Sequence, residues 1–291
     1  MSGSGRTTGR AGWRQRALKP AQSFEQCLHR ADLPRHEARA LMEFVSGRRR
    51  EWLIAYGDQP MPAGQQAQFF NLCQARRDGQ PLAYLLGQRE FYSRSFQVTP
   101  EVLIPRAESE VIVHSAIALA PQQARVLDMG TGSGALAITL ALERPDLTVT
   151  GSDLSQAALN VAARNANTLG AAVTWCQGDW LDAVSPDSRF ELIMTNPPYI
   201  ATGDEHLQQG DLRFEPTQAL SSGADGLDDI RKIVTSAARA MVPGGFLLIE
   251  HGWQQAPQVR QMLSESGYTQ IRSVRDDLGH ERISLGQSPP D

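Results

Sequence analysis

The feature that most constrains the fold is the run Asp128-Met129-Gly130-Thr131-Gly132-Ser133-Gly134, set between a short apolar strand and an apolar helix. Arg125-Val126-Leu127-Asp128 reads as the strand and residues 135–142 as the helix. Glycines let the backbone turn tightly and approach a ligand with no Cβ in the way. The helix start beyond them presents N–H groups that lack an intrahelical partner. The alternation continues downstream. Residues 147–153 read as a second strand, and Ser155 caps a helix that Gly170 stops. Residues 173–176, 190–195 and 246–250 read as further strands, and 270–274 with 282–285 as a closing hairpin. Strands alternating with helices predict an α/β chain with a mostly parallel, doubly wound sheet. Ligands of such sheets sit outside the carboxyl ends of the strands.

The chain ahead of this region has a different character. Residues 23–88 show apolar residues at helical spacing, such as Ala38, Leu41, Met42 and Val45, or Phe69, Leu72 and Cys73. Breakers at Gly57-Asp58-Gln59-Pro60 and Gly79-Gln80-Pro81 divide this stretch into a small helical domain of about four helices. Glu90-Phe91-Tyr92 and Phe96-Gln97-Val98 flank Ser93-Arg94-Ser95 as a hairpin, so 89–105 reads as a β-hairpin linker and 106–291 as the sheet domain. Residues 1–22 are rich in Ser, Gly, Thr and Arg without apolar periodicity and read as a disordered tail, although an acid-free basic segment also fits a transit peptide.

Composition narrows the function classes. With 291 residues, 41% hydrophobic and 21% charged, the chain has room for a sizeable core in one or two domains. No apolar run approaches the length of a membrane span, and the basic N-terminus lacks the apolar stretch of a secretory signal. Cys27, Cys73 and Cys176 lie too far apart for a zinc knuckle or disulfide framework, which points to a reducing, cytoplasmic setting. Cys27, His29 and His36 are too few for a metal site and read as surface and packing residues, so no metal is expected. The net charge of −4 is unevenly spread: residues 1–50 carry 11 Lys and Arg against 4 acids, and the remainder 17 against 28. An acidic main body is a poor match for the phosphate backbone of DNA.

Four constellations carry chemistry. The glycine loop also satisfies the dinucleotide fingerprint through Gly130, Gly132 and Ala135, so by itself it leaves the cofactor open. Asp153, closing the second strand, is placed to accept both hydroxyls of an adenosine ribose, a group shared by NAD and S-adenosylmethionine. Asp179-Trp180 follows the third strand, where an acid can meet the adenine amino group and an indole can pack on the ring. Asn196-Pro197-Pro198-Tyr199 decides between cofactors. Two prolines hold the turn rigid. The Asn196 side-chain oxygen and the Pro197 carbonyl can then face one planar NH₂ group, with Tyr199 stacked on it. Hydride transfer has no use for that grip, whereas methylation of an amide or exocyclic amine does. Accepting both N–H groups raises electron density on a weak nitrogen nucleophile and orients its lone pair.

Together these motifs resemble class I S-adenosylmethionine-dependent amino-methyltransferases. The flanking segments narrow the resemblance to the protein-glutamine N5-methyltransferases that act on peptide chain release factors. Those segments are Gly79-Gln80-Pro81 through Gly87, Phe91, Leu103-Ile104-Pro105-Arg106, Arg213-Phe214-Glu215-Pro216 with Ala219-Leu220, and Glu250-His251-Gly252 with Gln255. The resemblance covers about residues 23–287. It implies an N-terminal helical substrate-recognition domain, a hairpin linker and a seven-stranded methyltransferase domain. It implies methylation of the glutamine in the Gly-Gly-Gln loop of class I release factors, by a monomer that binds neither DNA nor membrane. On this resemblance Gly130, Thr131, Gly132, Ser133, Gly134, Asp153, Trp180 and Asn196 hold S-adenosyl-L-methionine. Asn196, Pro197, Pro198 and Tyr199 hold the glutamine, with Asn196, Pro197 and Tyr199 as the catalytic group. The chain departs from the family where Ala107 stands for a proline and Ser109 for a threonine. Glu215 reads either as part of a loop over the glutamine or as an anchor for that loop, and Glu250 ends a strand beside the site. A ribosomal-protein glutamine and, further off, a DNA adenine are the alternative acceptors.

Overall fold

The computed structural model describes residues 22–289. The expected tail lies outside them except for Gln22, whose carbonyl accepts the Met61 N–H. The chain divides between Gln74 and Ala75 into two compact units.

The first unit contains α1 (Phe24–His29), α2 (Arg35–Ser46), α3 (Arg50–Ala55) and most of α4 (Ala63–Arg77). A reciprocal cap starts α1: the Ser23 hydroxyl accepts the Gln26 N–H, and the Gln26 side chain accepts the Ser23 N–H. Two orphan donors of the helix start are thereby satisfied. Ala38, Leu41 and Met42 form the buried face of α2, and Gly47 ends it at φ 64°. Phe24, Cys27, Leu53, Met61, Phe69 and Cys73 are buried with them, and Trp52 meets Phe24 edge-on at 5.3 Å.

The second unit opens with α5 (Leu82–Leu86) and an antiparallel hairpin of β1 (Gln88–Phe91) and β2 (Arg94–Gln97). Then come α6 (Glu110–Leu119), β3 (Arg125–Met129), α7 (Ala135–Glu143), β4 (Thr148–Asp153), α8 (Gln156–Leu169), β5 (Val173–Gln177) and β6 (Phe190–Thr195). The chain finishes through α9 (Asp228–Ala237), β7 (Met241–Glu250), α10 (Ala256–Glu265), β8 (Thr269–Arg275) and β9 (Glu281–Gln287). Seven strands form one sheet in the order β5-β4-β3-β6-β7-β9-β8. The first five in that order run parallel, while β9 lies antiparallel to both β7 and β8. This is the mostly parallel, doubly wound sheet that the strand–helix alternation predicts.

The alternation of side chains along each strand builds two cores. Val126, Leu192, Met194 and Leu248 face one way and pack with α6 and α7 through Ile112, Ala116 and Ile138. Leu127, Ile193, Leu247 and Ile249 face the other way and meet Ile230, Ile233, Val259 and Leu263 of α9 and α10. Burying each of these side chains is worth about 1.5–3 kcal/mol. Strand order reverses at β3, between β4 and β6, and this is the place where such sheets open a crevice.

Helix α5, the last in the expected 23–88 helical domain, packs within the second unit. Ala83 and Tyr84 lie against Val98, Val102, Ala158 and Val161, and the Tyr84 hydroxyl donates to the Val102 carbonyl at 2.6 Å. The hairpin turns on Tyr92-Ser93 rather than on 93–95, with φ of 52° and 57°. That register pairs Phe91 with Arg94 and buries Phe91 and Phe96 together, their rings 6.0 Å apart. Finally, β7 starts at Met241, not at Phe246. The strand passes through Pro243-Gly244-Gly245 with Gly244 at φ 75° and a register shift against β6.

Candidate active site

The carboxyl ends of β3, β4, β5 and β6 open into a cavity of about 370 Å³. Its position follows from register. Met129 pairs with Ser152 on one side and Thr195 on the other, so the residues that follow each strand emerge side by side. These are the glycine loop, Asp153 and Asn196, and all three line the cavity.

The glycine loop is held from both ends. The buried Asp128 carboxylate accepts the Thr131 hydroxyl at 2.6 Å and the Ala137 N–H at 3.2 Å, while its other oxygen has no partner among the described residues. Burial pushes Asp128 up to about 7. The Thr131 N–H donates to the Ser152 carbonyl at 2.9 Å, tying the loop to the end of β4. Gly130 adopts φ 72°, and a Cβ there would meet the Trp180 ring at 3.3 Å. A side chain at Gly130 would therefore fill the space between loop and indole.

Asp153 accepts the Gly132 N–H at 2.9 Å and the Ser155 N–H at 2.8 Å. Each of its oxygens is fixed by one backbone donor and keeps a lone pair for a ligand. Burial raises its pKa while those two donors lower it. Asp153, Asp179, Asp229 and Glu101 line the cavity against the single cation Lys232, which pairs with Asp229 at 3.1 Å. An adenosine that carries a cationic sulfonium matches this set: carboxylates for the ribose hydroxyls, an indole beside a glycine loop, and an acidic rim for the positive charge. The residues present fit S-adenosylmethionine.

Asn196 is half-buried, and its Nδ2 donates to the Ser109 hydroxyl at 3.2 Å. Its Oδ1 is thereby turned away from Ser109. Pro197 and Pro198 are buried. The Tyr199 N–H and the Ile200 N–H both donate to the Leu220 carbonyl, at 3.2 and 2.9 Å. The Tyr199 carbonyl accepts Gln255 Nε2 at 3.0 Å, and Gln255 Oε1 accepts the Gly252 N–H at 2.9 Å. Gln255 thus clamps the turn after β6 to the turn after β7. Burial raises the pKa of the Tyr199 hydroxyl, and the nearby Glu250 carboxylate adds to the effect.

The wall formed by Pro216, Gln218, Ala219 and Ser221 belongs to a loop with three anchors. Arg76 pairs with Asp211 at 2.9 Å. Arg213 donates to the Asp78 carbonyl at 2.9 Å and lies where a Cβ on Gly79 would be. Glu215, its side chain fully buried, accepts the Ile104 N–H at 3.0 Å and pairs with Arg106. The Gly79-Gln80-Pro81, Ile104-Pro105-Arg106 and Arg213-Phe214-Glu215 segments of the sequence thus form one fastening. Of the two readings of Glu215, the structure shows the anchor. Glu215→Ala strands Arg106 and the Ile104 N–H, and is expected to cost about 3 kcal/mol. A urea unfolding midpoint unchanged from wild type would contradict this.

The predicted residues are not all equally close to the cavity. Gly130, Gly132, Asp153, Trp180, Asn196 and Pro198 line it. Thr131 and Ser133 face a smaller adjoining cavity of about 50 Å³, shared with Arg106, Ser109 and Asn196. Gly134 lines neither: its φ of 81° serves the start of α7, where a Cβ would press on Ile138, Ala162 and Trp175. Pro197 and Tyr199 are not part of the main cavity's lining, and the Tyr199 ring packs against the core of α9 and α10. Sequence reasoning did not place Ser109 against Asn196. The two are 87 residues apart, and the one available signal was the hydroxyl retained where Ser109 replaces threonine. Among the described residues, no three His, Cys, Asp or Glu side chains gather to hold a metal ion, and no helix is long and apolar enough to cross a membrane.

Residues 21–87 match the family model described as PrmC N-terminal domain, and residues 109–219 match the Methyltransferase small domain. The Release factor glutamine methyltransferase of Neisseria gonorrhoeae is 46% identical over 266 residues, 91% of this chain and 97% of that protein. The protein of the same name from Escherichia coli is 42% identical, over 94% of this chain and 97% of its own length. Among solved structures, a methyltransferase from Pyrococcus furiosus superposes with a TM-score of 0.52 at 17% identity, over 75% of this chain and 98% of that one. A 16S rRNA N2 G1207 methyltransferase from T. thermophilus, in complex with AdoMet and guanosine, gives 0.51 at 21% identity, over 69% of this chain and 49% of that one. These two share the fold.

Proposed function

The chain belongs to the release factor glutamine methyltransferase family, and from that premise we propose that it methylates the side-chain amide nitrogen of the glutamine in the Gly-Gly-Gln loop of class I release factors. The observation that carries the reading is the position of Asn196. It stands at the mouth of the β3–β6 crevice, with Nδ2 bound to Ser109 and Oδ1 left for an incoming N–H.

S-adenosylmethionine supplies a methyl group on a sulfonium, which leaves as a neutral thioether. Asp153 would take the ribose hydroxyls, Gly130, Thr131, Gly132 and Ser133 would carry the rest of the nucleoside and amino-acid moiety, with Gly134 setting the start of α7, and Trp180 would border the adenine. Asn196 Oδ1 and the Pro197 carbonyl accept the two N–H groups of the glutamine amide. The nitrogen lone pair is then pointed at the methyl carbon, and orientation supplies much of the acceleration. Positive charge that grows on nitrogen meets two fixed oxygens. As the N–C bond forms, one amide proton departs to water. Pro198 and Tyr199 keep the turn rigid, because Gln255 and Leu220 hold its backbone. The helical unit is the part that recognises the body of the release factor, and the enzyme acts as a monomer without DNA.

The test uses methyl-labelled S-adenosylmethionine, the purified protein and a class I release factor, beside a second sample carrying Gln→Ala in the Gly-Gly-Gln loop. Label in the first sample and none in the second is the expected result. Label in neither would move the acceptor to a ribosomal-protein glutamine or a nucleic-acid base.

A further inference from the structure

We propose that Asn165 is a positioning residue for cofactor binding: its side-chain amide fastens the glycine loop to the linker hairpin and so presets the loop before the cofactor arrives. The inference rests on S-adenosylmethionine as the cofactor and is independent of which acceptor is methylated.

Asn165 belongs to α8 and is 2% exposed. Its Oδ1 accepts the Gln97 N–H at 2.7 Å, and its Nδ2 donates to the Gln97 carbonyl at 3.0 Å. One side chain thus meets both backbone groups of one residue of β2. The hairpin is a two-stranded sheet in which Gln97 stands opposite Gln88. The carboxamide takes the place that the peptide group of a third strand would take on the outer edge of β2. Nδ2 has a second hydrogen, and the Ser133 carbonyl accepts from Nδ2 at 2.9 Å. Both donors of the amide are therefore engaged, and its oxygen as well. Arg164, the preceding residue, holds the Gln97 side chain at 3.0 Å.

Ser133 needs this partner. Gly134 caps α7, and its carbonyl accepts the Ile138 N–H at 2.9 Å. The Ser133 carbonyl falls one residue ahead of that ladder, and the Ala137 N–H goes to Asp128 instead. A buried carbonyl without a donor is costly, so the loop conformation that faces Asn165 is favoured. Helix α8 comes close enough for the contact: a Cβ on Gly134 would meet Ala162, about one turn before Asn165, at 3.1 Å.

The fastening bears on binding because of what it holds. Phe91 of β1 and Thr131, Gly132 and Ser133 of the loop line the small cavity together, so the amide sets the spacing of two of its walls. Gly130 and Gly132 also line the main cavity, and the Gly132 N–H orients Asp153. A loop already fixed in the free protein loses little freedom when a ligand settles on it.

The experiment measures S-adenosylmethionine affinity by calorimetry from pH 5.5 to 8.5, with the thermal stability of the cofactor-free protein. Asn165→Asp keeps the shape and the acceptor but, when ionised, has no hydrogen for either carbonyl. It should bind about 10-fold more weakly than wild type at the alkaline end, the scale of one lost hydrogen bond. Part of that loss should recover as the pH falls, because a protonated carboxyl regains one donor. Asn165→Leu should bind as weakly without recovery. Val161→Ala, on the same helix and clustered with Val98 and Val102, should lower stability and keep the wild-type affinity. In wild type, NMR should find both Nδ2 protons of Asn165 slow to exchange with solvent before any cofactor is added. Asn165 variants that melt lower yet bind as wild type does would overturn the inference. So would an Asn165→Asp loss equal at every pH, an equal loss in Val161→Ala, or Nδ2 protons protected only once the cofactor is bound. A wild type without measurable affinity would overturn the cofactor reading and this inference with it.

Discussion

Asn196→Ala is expected to abolish methyl transfer while most cofactor affinity survives. The substitution removes one of the two acceptors for the amide N–H groups and frees Ser109 from its partner. It leaves Asp153, the glycine loop and Trp180 in place. Loss of a preorganised polar group aimed at developing charge typically costs about 10²–10³ in rate. Loss of the aim of the nucleophile adds to that. Single-turnover assays with labelled cofactor and calorimetric titration of the same sample separate the two effects. If rate and affinity fell by the same factor, Asn196 would be a cofactor ligand alone and its role toward the acceptor amide would be wrong.

Asp153→Ala is the counterpart, with the large effect on binding. Its carboxylate is already oriented by Gly132 and Ser155, so a ribose meets a group that loses no freedom on binding. Two charge-assisted hydrogen bonds disappear, worth roughly 2–3 kcal/mol, or about 30- to 150-fold in Kd. The loop anchored on Gly132 also loses its tether. Asp153→Asn should fall between, since a neutral oxygen still accepts. Calorimetry that finds Asp153→Ala binding as tightly as wild type would exclude the ribose assignment.

The legible part of this protein is what lies at strand ends. Asp128, Asp153 and Asn196 each close or follow a strand recognisable from a handful of apolar residues. Parallel topology then brings such ends together without further information. The Ser155 cap and the Gly170 stop were readable because helix termini have residue preferences rooted in unsatisfied backbone groups. What stayed hidden depends on pairing across the chain. The hairpin was legible but its two-residue turn at Tyr92-Ser93 was not, since positive φ at two adjacent positions normally calls for glycine or asparagine. The Ile104–Glu215 bond spans 111 residues, and a local pattern cannot report it. β7 was read short because proline and glycine usually interrupt strands, whereas here a bulge absorbs them. Helix α5 has the periodicity of a helix and no mark of which core it joins, and it packs with Val98, Val102, Ala158 and Val161.

The position of β9 has a consequence for how the molecule is made. A ribosome completes the glycine loop, Asp153 and Asn196 early, and they stand at the ends of β3 and of the two strands that pair with it. Strand β7, which carries Glu250 and His251, lacks its second neighbour until residues 281–287 exist, because β9 lies between β7 and β8. His251 likewise waits for Ser284, its partner at 2.8 Å. During synthesis the chain therefore passes through a stage with the cofactor cavity assembled and the β7 edge open. Closure of the sheet is thus a late event in the life of the nascent chain, and an open strand edge such as that of β7 is the kind of feature through which unfinished chains associate.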